Sequence, residues 1–151
     1  MEPSVVTRQA FTALGIQLRI NPRAADYRAI WEEQFMEYHE AIKALAQEEG
    51  YYGIYFRTDE PGVVDCAAGM AVGRLSQAPD GLVTREVPGA QYAVAQCGMH
   101  SIGATWGFLY ERWIEQSPYQ EDPTSACFDY FPSDVHSSNS LVSIHVPIKP
   151  K

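Results

Sequence analysis

The sequence predicts an α+β fold in which one β-α-β-β pattern is used twice. Three observations carry this expectation. Two segments have helical periodicity, strand signals flank each of them, and the same order recurs after a Gly- and Pro-punctuated link, at a repeat of roughly 75–80 residues. A chain of 151 residues that is 46% hydrophobic and 20% charged is enough for one buried core. One domain is therefore expected over 1–151, with halves at about 1–74 and about 82–151.

Taken in order, residues 11–20 read as the first strand. Tyr27, Ile30, Trp31, Phe35, Tyr38, Ile42 and Leu45 then recur at steps of three and four, placing them on one helical stripe. Asn21-Pro22 stands as the start signal and Gly50 as the C-terminal cap. The aromatic-rich run 51–56, the polar turn 58–62 and the run 64–72 form a hairpin. Leu75 to Gly81 reads as the link. In the second half, 82–87 and 91–97 are extended. Ile102, Trp106, Leu109 and Trp113 then repeat the helical spacing, with Ser101 as N-cap and Pro118 as the stop. Residues 126–131 and 141–148 pair across a Pro132-Ser133-Asp134 and Ser137-Ser138-Asn139 turn. The last strand alternates, with Val142, Ile144 and Val146 on one face and Ser143 and His145 on the other. Antiparallel hairpins with two long helices exclude a doubly wound sheet, and a small-molecule cleft is expected at the pseudo-two-fold seam between the halves.

Composition narrows the function. Eleven basic against nineteen acidic residues give a net charge of -8, with no Lys/Arg stripe for a duplex, so direct nucleic-acid binding is not expected. The apolar runs fall short of the ~20 residues of a membrane span, and no signal peptide is visible at the N-terminus. Cys66, Cys97 and Cys127 are an odd count at wide spacing. They read as reduced thiols of a cytoplasmic protein, not as disulfides or zinc ligands. His39, His100, His136 and His145 are scattered. No metal and no cofactor are expected.

The pieces "REVPGAQYAVAQCG", "TWGFLYERWIEQSPYQ", "CFDYF" and "VSIHVPIK" together resemble the GyrI-like effector-binding domain. That domain follows the DNA-binding domains of some AraC-type and MerR-type regulators and also occurs free-standing. "YYGIYF" followed by "CAAGMAVG" is similar to the family's first hairpin, and only the first twenty residues match loosely. The resemblance implies SHS2-type halves and uptake of lipophilic cations in an aromatic pocket with a carboxylate as charge partner. Two departures stand out. Relatives usually carry a Glu where this chain has Asp129, and a Glu and an aromatic residue where it has Ser143 and His145. The chain has no helix-turn-helix, so a stand-alone sensor or carrier is expected.

Asp129, between Phe128 and Tyr130, reads two ways. It is an edge-strand acid facing water, or a cleft acid whose burial raises its pKa and whose charge a cationic ligand neutralises. The resemblance favours the second. Tyr51, Tyr52, Tyr55 and Phe56 alternate to both faces, and Tyr and Trp rings hold a cation by the face at about 0.5–2 kcal/mol each. Trp106 and Tyr110 share a helix side suited to the seam, whereas Trp31, Phe35, Leu109 and Trp113 read as core. Met70 and Met99 read as core or as adaptable fillers of a pocket, and His145 as a satisfied or solvent-facing histidine or as a polar wall or titrating group. The expected ligand contacts are Asp129, Trp106, Tyr110, Phe131, Tyr52, Tyr55, Met70 and His145, and no residue is cast as catalytic. The leading expectation is a binding module for amphipathic, cationic, aromatic small molecules. Two alternatives stay open: a hydrolase of strained electrophiles on the same fold, and a protein-interaction module such as the topoisomerase inhibitor for which the family is named. Exposed sheet edges permit a homodimer, and nothing in the sequence fixes one.

Overall fold

The computed structural model describes residues 2–134 and 140–151. His136 and the Ser137-Ser138-Asn139 part of the expected turn lie outside the described residues. Nine strands are present among the described residues: β1 (Ser4–Arg8), β2 (Phe11–Ile20), β3 (Tyr51–Arg57), β4 (Val64–Val72), β5 (Val83–Val87), β6 (Ala90–Cys97), β7 (Tyr119–Glu121), β8 (Cys127–Phe131) and β9 (Val142–Pro150). Two helical segments, α1 (27–43) and α2 (99–116), follow β2 and β6. The mixed α+β class with two long helices and a large antiparallel sheet is as the periodicities foretold.

All strands join one antiparallel sheet in the order β1-β6-β9-β8-β3-β4-β2-β5, with the short β7 on the far end of β9. This order reads the same under a pseudo-two-fold between β8 and β3. Each half keeps a three-stranded block (β2-β4-β3 and β6-β9-β8), and the halves exchange their outermost strands. β1 pairs with β6, and β5 pairs with β2. β1 is absent from the sequence expectation because Ser4 to Thr7 are all exposed, so no alternation marks it.

Helical periodicity placed both helices, while their ends follow other signals. Asp26, not Asn21-Pro22, caps α1: its carboxylate accepts from the Ala29 amide at 3.0 Å. Asn21 instead accepts from the Arg23 amide, two residues on, in a local turn. Gly50 is no C-terminal cap, because α1 ends at Lys43 and Gly50 lacks a positive φ. Its missing side chain leaves room for the Tyr130 ring. Leu45 lies past the helix and is exposed. Ser101 makes no side-chain cap, since α2 opens on a tight turn from Met99. Pro118 does stand just beyond the last turn. Each helix also contains a widened stretch (30–35 and 109–113), which shifts the stripe around the axis.

Both helices lie on one face of the sheet. α1 packs Ile30, Phe35 and Ile42 on Leu14, Ile16, Met70 and Val72. α2 packs Leu109 and Ile114 on Ala93, Ala95, Ile144 and Val146. Fully buried side chains of this kind contribute about 1.5–3 kcal/mol each. The other face carries its own core around Tyr52, Ile54, Tyr92 and Phe128. The two helix-covered blocks meet where β3 pairs with β8, the central pair of the sheet.

Candidate functional site, an aromatic seam over a buried carboxylate

The register of β3 and β8 builds the site. One row crosses six strands on the helix face, in the order Ile16, Ala68, Gly53, Asp129, Ile144, Ala95. The pseudo-two-fold passes between Gly53 and Asp129. Four apolar side chains therefore flank one carboxyl group, and its symmetry counterpart is a glycine. That glycine is needed, because a Cβ at Gly53 would collide with Oδ1 of Asp129. The neighbouring row is Cys66, Tyr55 and Cys127. On the other side, Tyr51 stands against Phe131.

Asp129 is not an edge-strand acid. It lies in a central strand and is 2% exposed. Oδ2 accepts from the Tyr55 hydroxyl at 3.2 Å, and Oδ1 is buried with no hydrogen-bond partner. Desolvation raises the carboxyl pKa to about 7, offset in part by Tyr55, the backbone and the nearby Trp106 indole. Burial also pushes Tyr27, Cys66 and Cys127 up to about 12, and raises Tyr55 and Tyr110 well above the ordinary phenol value. Those groups stay neutral at pH 7, so the charge beneath the rings is that of Asp129, while Glu121 beside Tyr110 is paired with Arg57.

Rings from both helices cover the acid. Tyr27 and Trp31 come from α1, one turn apart, and Trp106 and Tyr110 from α2 at the same spacing. Tyr27 meets Tyr55 edge-on at 6.5 Å, and Tyr55 meets Trp106 at 5.9 Å. Trp106 stacks on Tyr110 at 6.1 Å. Trp31 bridges Phe131 at 5.4 Å and Tyr51 at 6.4 Å. All of these rings are partly exposed, while the carboxyl beneath them is buried. The rings thus stand between the carboxyl group and solvent. Depressions of about 500 Å³ lie elsewhere, one bounded by Arg8, Phe11, Gln47 and Glu86, another by Ser4, Val94 and Leu141.

Of the eight residues expected at the site, Asp129, Trp106, Tyr110, Phe131 and Tyr55 come together here. Tyr52 and His145 stand on the opposite face. There the imidazole stacks on Phe128 at 4.2 Å, and the Tyr52 hydroxyl bonds Glu48 at 2.5 Å and Arg8 at 3.3 Å. The register explains this, since Ile144 stands against Asp129 and His145 against Phe128. Met70 is core beneath α1, and Met99 is exposed. Trp31, read as core, packs against the core beneath α1 and also borders the seam through Phe131 and Tyr51. The i,i+4 aromatic pair Tyr27/Trp31, matching Trp106/Tyr110, was the available signal. Phe35 and Leu109 are core as expected. Among the described residues, no group of three or more His, Cys, Asp or Glu side chains could hold a metal ion, and no helix is long and apolar enough to cross a membrane.

Two pseudo-symmetric helix-on-sheet halves with rings gathered over one buried acid make a small-molecule binding domain. The chain belongs to the GyrI-like small molecule binding domain family, whose match runs over residues 1–149. Its fold is similar to that of SAV2435, solved bound to tetraphenylphosphonium (TM-score 0.82, 14% identity, 99% of this chain and 94% of that one). It is also similar to the integron cassette protein VCH_CASS2 of Vibrio cholerae (TM-score 0.68, 17% identity, 98% and 96%). The EcmrR C-terminal domain matches at TM-score 0.72 and 10% identity (99% and 98%), and the chain covers 58% of EcmrR as seen in its complex with DNA. No curated protein matches the chain in sequence.

Proposed function

We propose that the chain binds amphipathic, lipophilic organic cations in the seam between α1 and α2, with Asp129 as the charge partner. The observation that carries this reading is the buried Oδ1 of Asp129, which lacks a partner and lies beneath partly exposed rings from both helices. An ionised carboxylate so placed is costly to keep. A cation entering among the rings removes that cost, while a neutral molecule of the same shape does not. Four or five rings at about 0.5–2 kcal/mol each, together with one ion pair, reach the roughly 8 kcal/mol of micromolar affinity. Entry requires Trp31 and Trp106 to part by side-chain rotation on the two helices, with Tyr55 held on β3 by its bond to Asp129. Tetraphenylphosphonium, the ligand of SAV2435, is a suitable probe.

The test is a tryptophan-fluorescence titration at pH 8 with tetraphenylphosphonium and with neutral triphenylphosphine oxide, on wild type and Asp129→Asn. The expected result is micromolar saturation by the cation, a weaker neutral compound, and loss of the cation preference in the variant. Equal binding of the two compounds would take Asp129 out of the role of charge partner.

Hydrolysis of a strained electrophile has one observation in its favour. A carboxyl group with a pKa near 7 beside a tyrosine hydroxyl suits a general base. Turnover abolished by Asp129→Asn would establish that reading over simple binding.

A further inference from the structure

The polar inventory of the seam has a consequence for the class of cation. Four tyrosine hydroxyls reach into or border it, and all are engaged. Tyr27 donates to the Pro22 carbonyl at 2.6 Å, Tyr110 to Glu121 at 2.6 Å and Tyr55 to Asp129, while Tyr51 pairs with His39 at 3.1 Å. Glu121, at the seam's end, is further held by Arg57 at 2.5 Å. The Trp106 indole N–H and the Gly53 and Asp129 amides lie close enough to the carboxylate to lower its pKa, yet none makes a hydrogen bond to Oδ1. Oδ1 therefore remains a buried carboxylate acceptor without a donor.

We infer that the seam is built for cations that carry one N–H donor, protonated tertiary amines on an apolar aromatic framework, over permanently charged quaternary or phosphonium ions. The inference rests on the cation-binding reading and sharpens it. Both kinds of cation meet the ring faces and compensate the charge. Only the protonated amine also gives Oδ1 a hydrogen bond, and a charge-assisted bond in a site closed to water is among the strongest single contacts available. A primary ammonium fits less well, because two of its three donors would face rings and the apolar row formed by Ala68 and Ile144.

The matched pair that tests this is N,N-dimethyl-3,3-diphenylpropylamine against its trimethylammonium counterpart, titrated into the intact chain at pH 8 by calorimetry. The amine is expected to bind on the order of tenfold tighter or more. The advantage should vanish above pH 10, where the amine loses its proton and the quaternary salt does not. Asp129→Leu, which keeps the branched four-atom shape without an acceptor, should bring the two affinities together; near-UV circular dichroism reports its fold independently. Equal or tighter binding of the quaternary ion by wild type overturns the inference and leaves the cation reading standing. That is the result expected if the Trp106 indole turns to satisfy Oδ1. Saturation by neither compound overturns both.

Discussion

Asp129 and His145 are two buried titratable groups on opposite faces of the same sheet, and they set opposing pH dependences. Asp129 has a folded pKa of about 7 against an ordinary 3.8, chiefly because burial disfavours its charge. Between these values the folded state holds more protons than the unfolded one, so this group lowers stability as pH rises through the window. His145 is pushed down to about 4, again by burial. Between about 4 and 6.5 the unfolded state holds the extra proton, so its contribution is full above that range and is lost as pH falls through it. The two slopes cancel over about pH 4–6.5, and wild type should be nearly flat there in urea unfolding. Asp129→Asn should unmask the histidine, with stability rising from pH 4 to 6.5, and at pH 8 it should exceed wild type by up to about 4 kcal/mol. His145→Phe, retaining the stack on Phe128, should unmask the acid and fall in stability from pH 4 to 7. A variant profile parallel to wild type would remove that residue from the linkage.

At the scale of elements, two glycine sites decide how closely strands and side chains approach. Gly15 and Gly69 face each other across β2 and β4, and a Cβ on either would run into the other strand's backbone. Gly69→Ala should therefore cost about 1–3 kcal/mol, read as a lowered denaturation midpoint, because backbone has less freedom to yield than a side chain. Gly53→Ala tests the site instead. Its methyl displaces the Asp129 carboxylate, so tetraphenylphosphonium affinity should fall at least tenfold with the far-UV spectrum preserved. Unchanged affinity would place the cation away from the carboxylate. Elements were legible in the sequence where one face is buried. The alternation of β9 and the 3–4 spacing of both helices announced them. β1 was silent because its residues are exposed, and three-residue β7 is too short to show a period. Asp129 and the Trp106/Tyr110 side were readable from a strand of two faces and a helix of one. Trp31 reads as core from its stripe and does pack on that core beside Phe35, while its i,i+4 pairing with Tyr27 was the signal for its second contact, with Phe131. Alternation does not say which face of β3 or β9 meets the helices. That depends on register between strands far apart in sequence, and so Tyr52 and His145 went to the other side.

For the whole molecule, the exchange of β1 and β5 ties the halves together. Half 1–74 alone would leave β1 without β6, β2 without β5 and β3 without β8, and would expose the rings of the seam. We propose that the chain is one cooperative unit. A 1–74 fragment should show no cooperative unfolding, and the full chain should unfold in one transition by both tryptophan fluorescence and circular dichroism. Two separated transitions would contradict this. The same architecture places a single acid beside the pseudo-symmetry axis with a glycine opposite, so in the proposed site one charge stands between two similar walls. The most direct test of that arrangement is the affinity for tetraphenylphosphonium from pH 5 to 9. A permanent cation selects the ionised carboxylate, so affinity should rise about tenfold per pH unit up to pH 7 and then level off. Asp129→Asn should give a flat, weak profile. A wild-type affinity independent of pH across that range would contradict Asp129 as the partner of the bound charge.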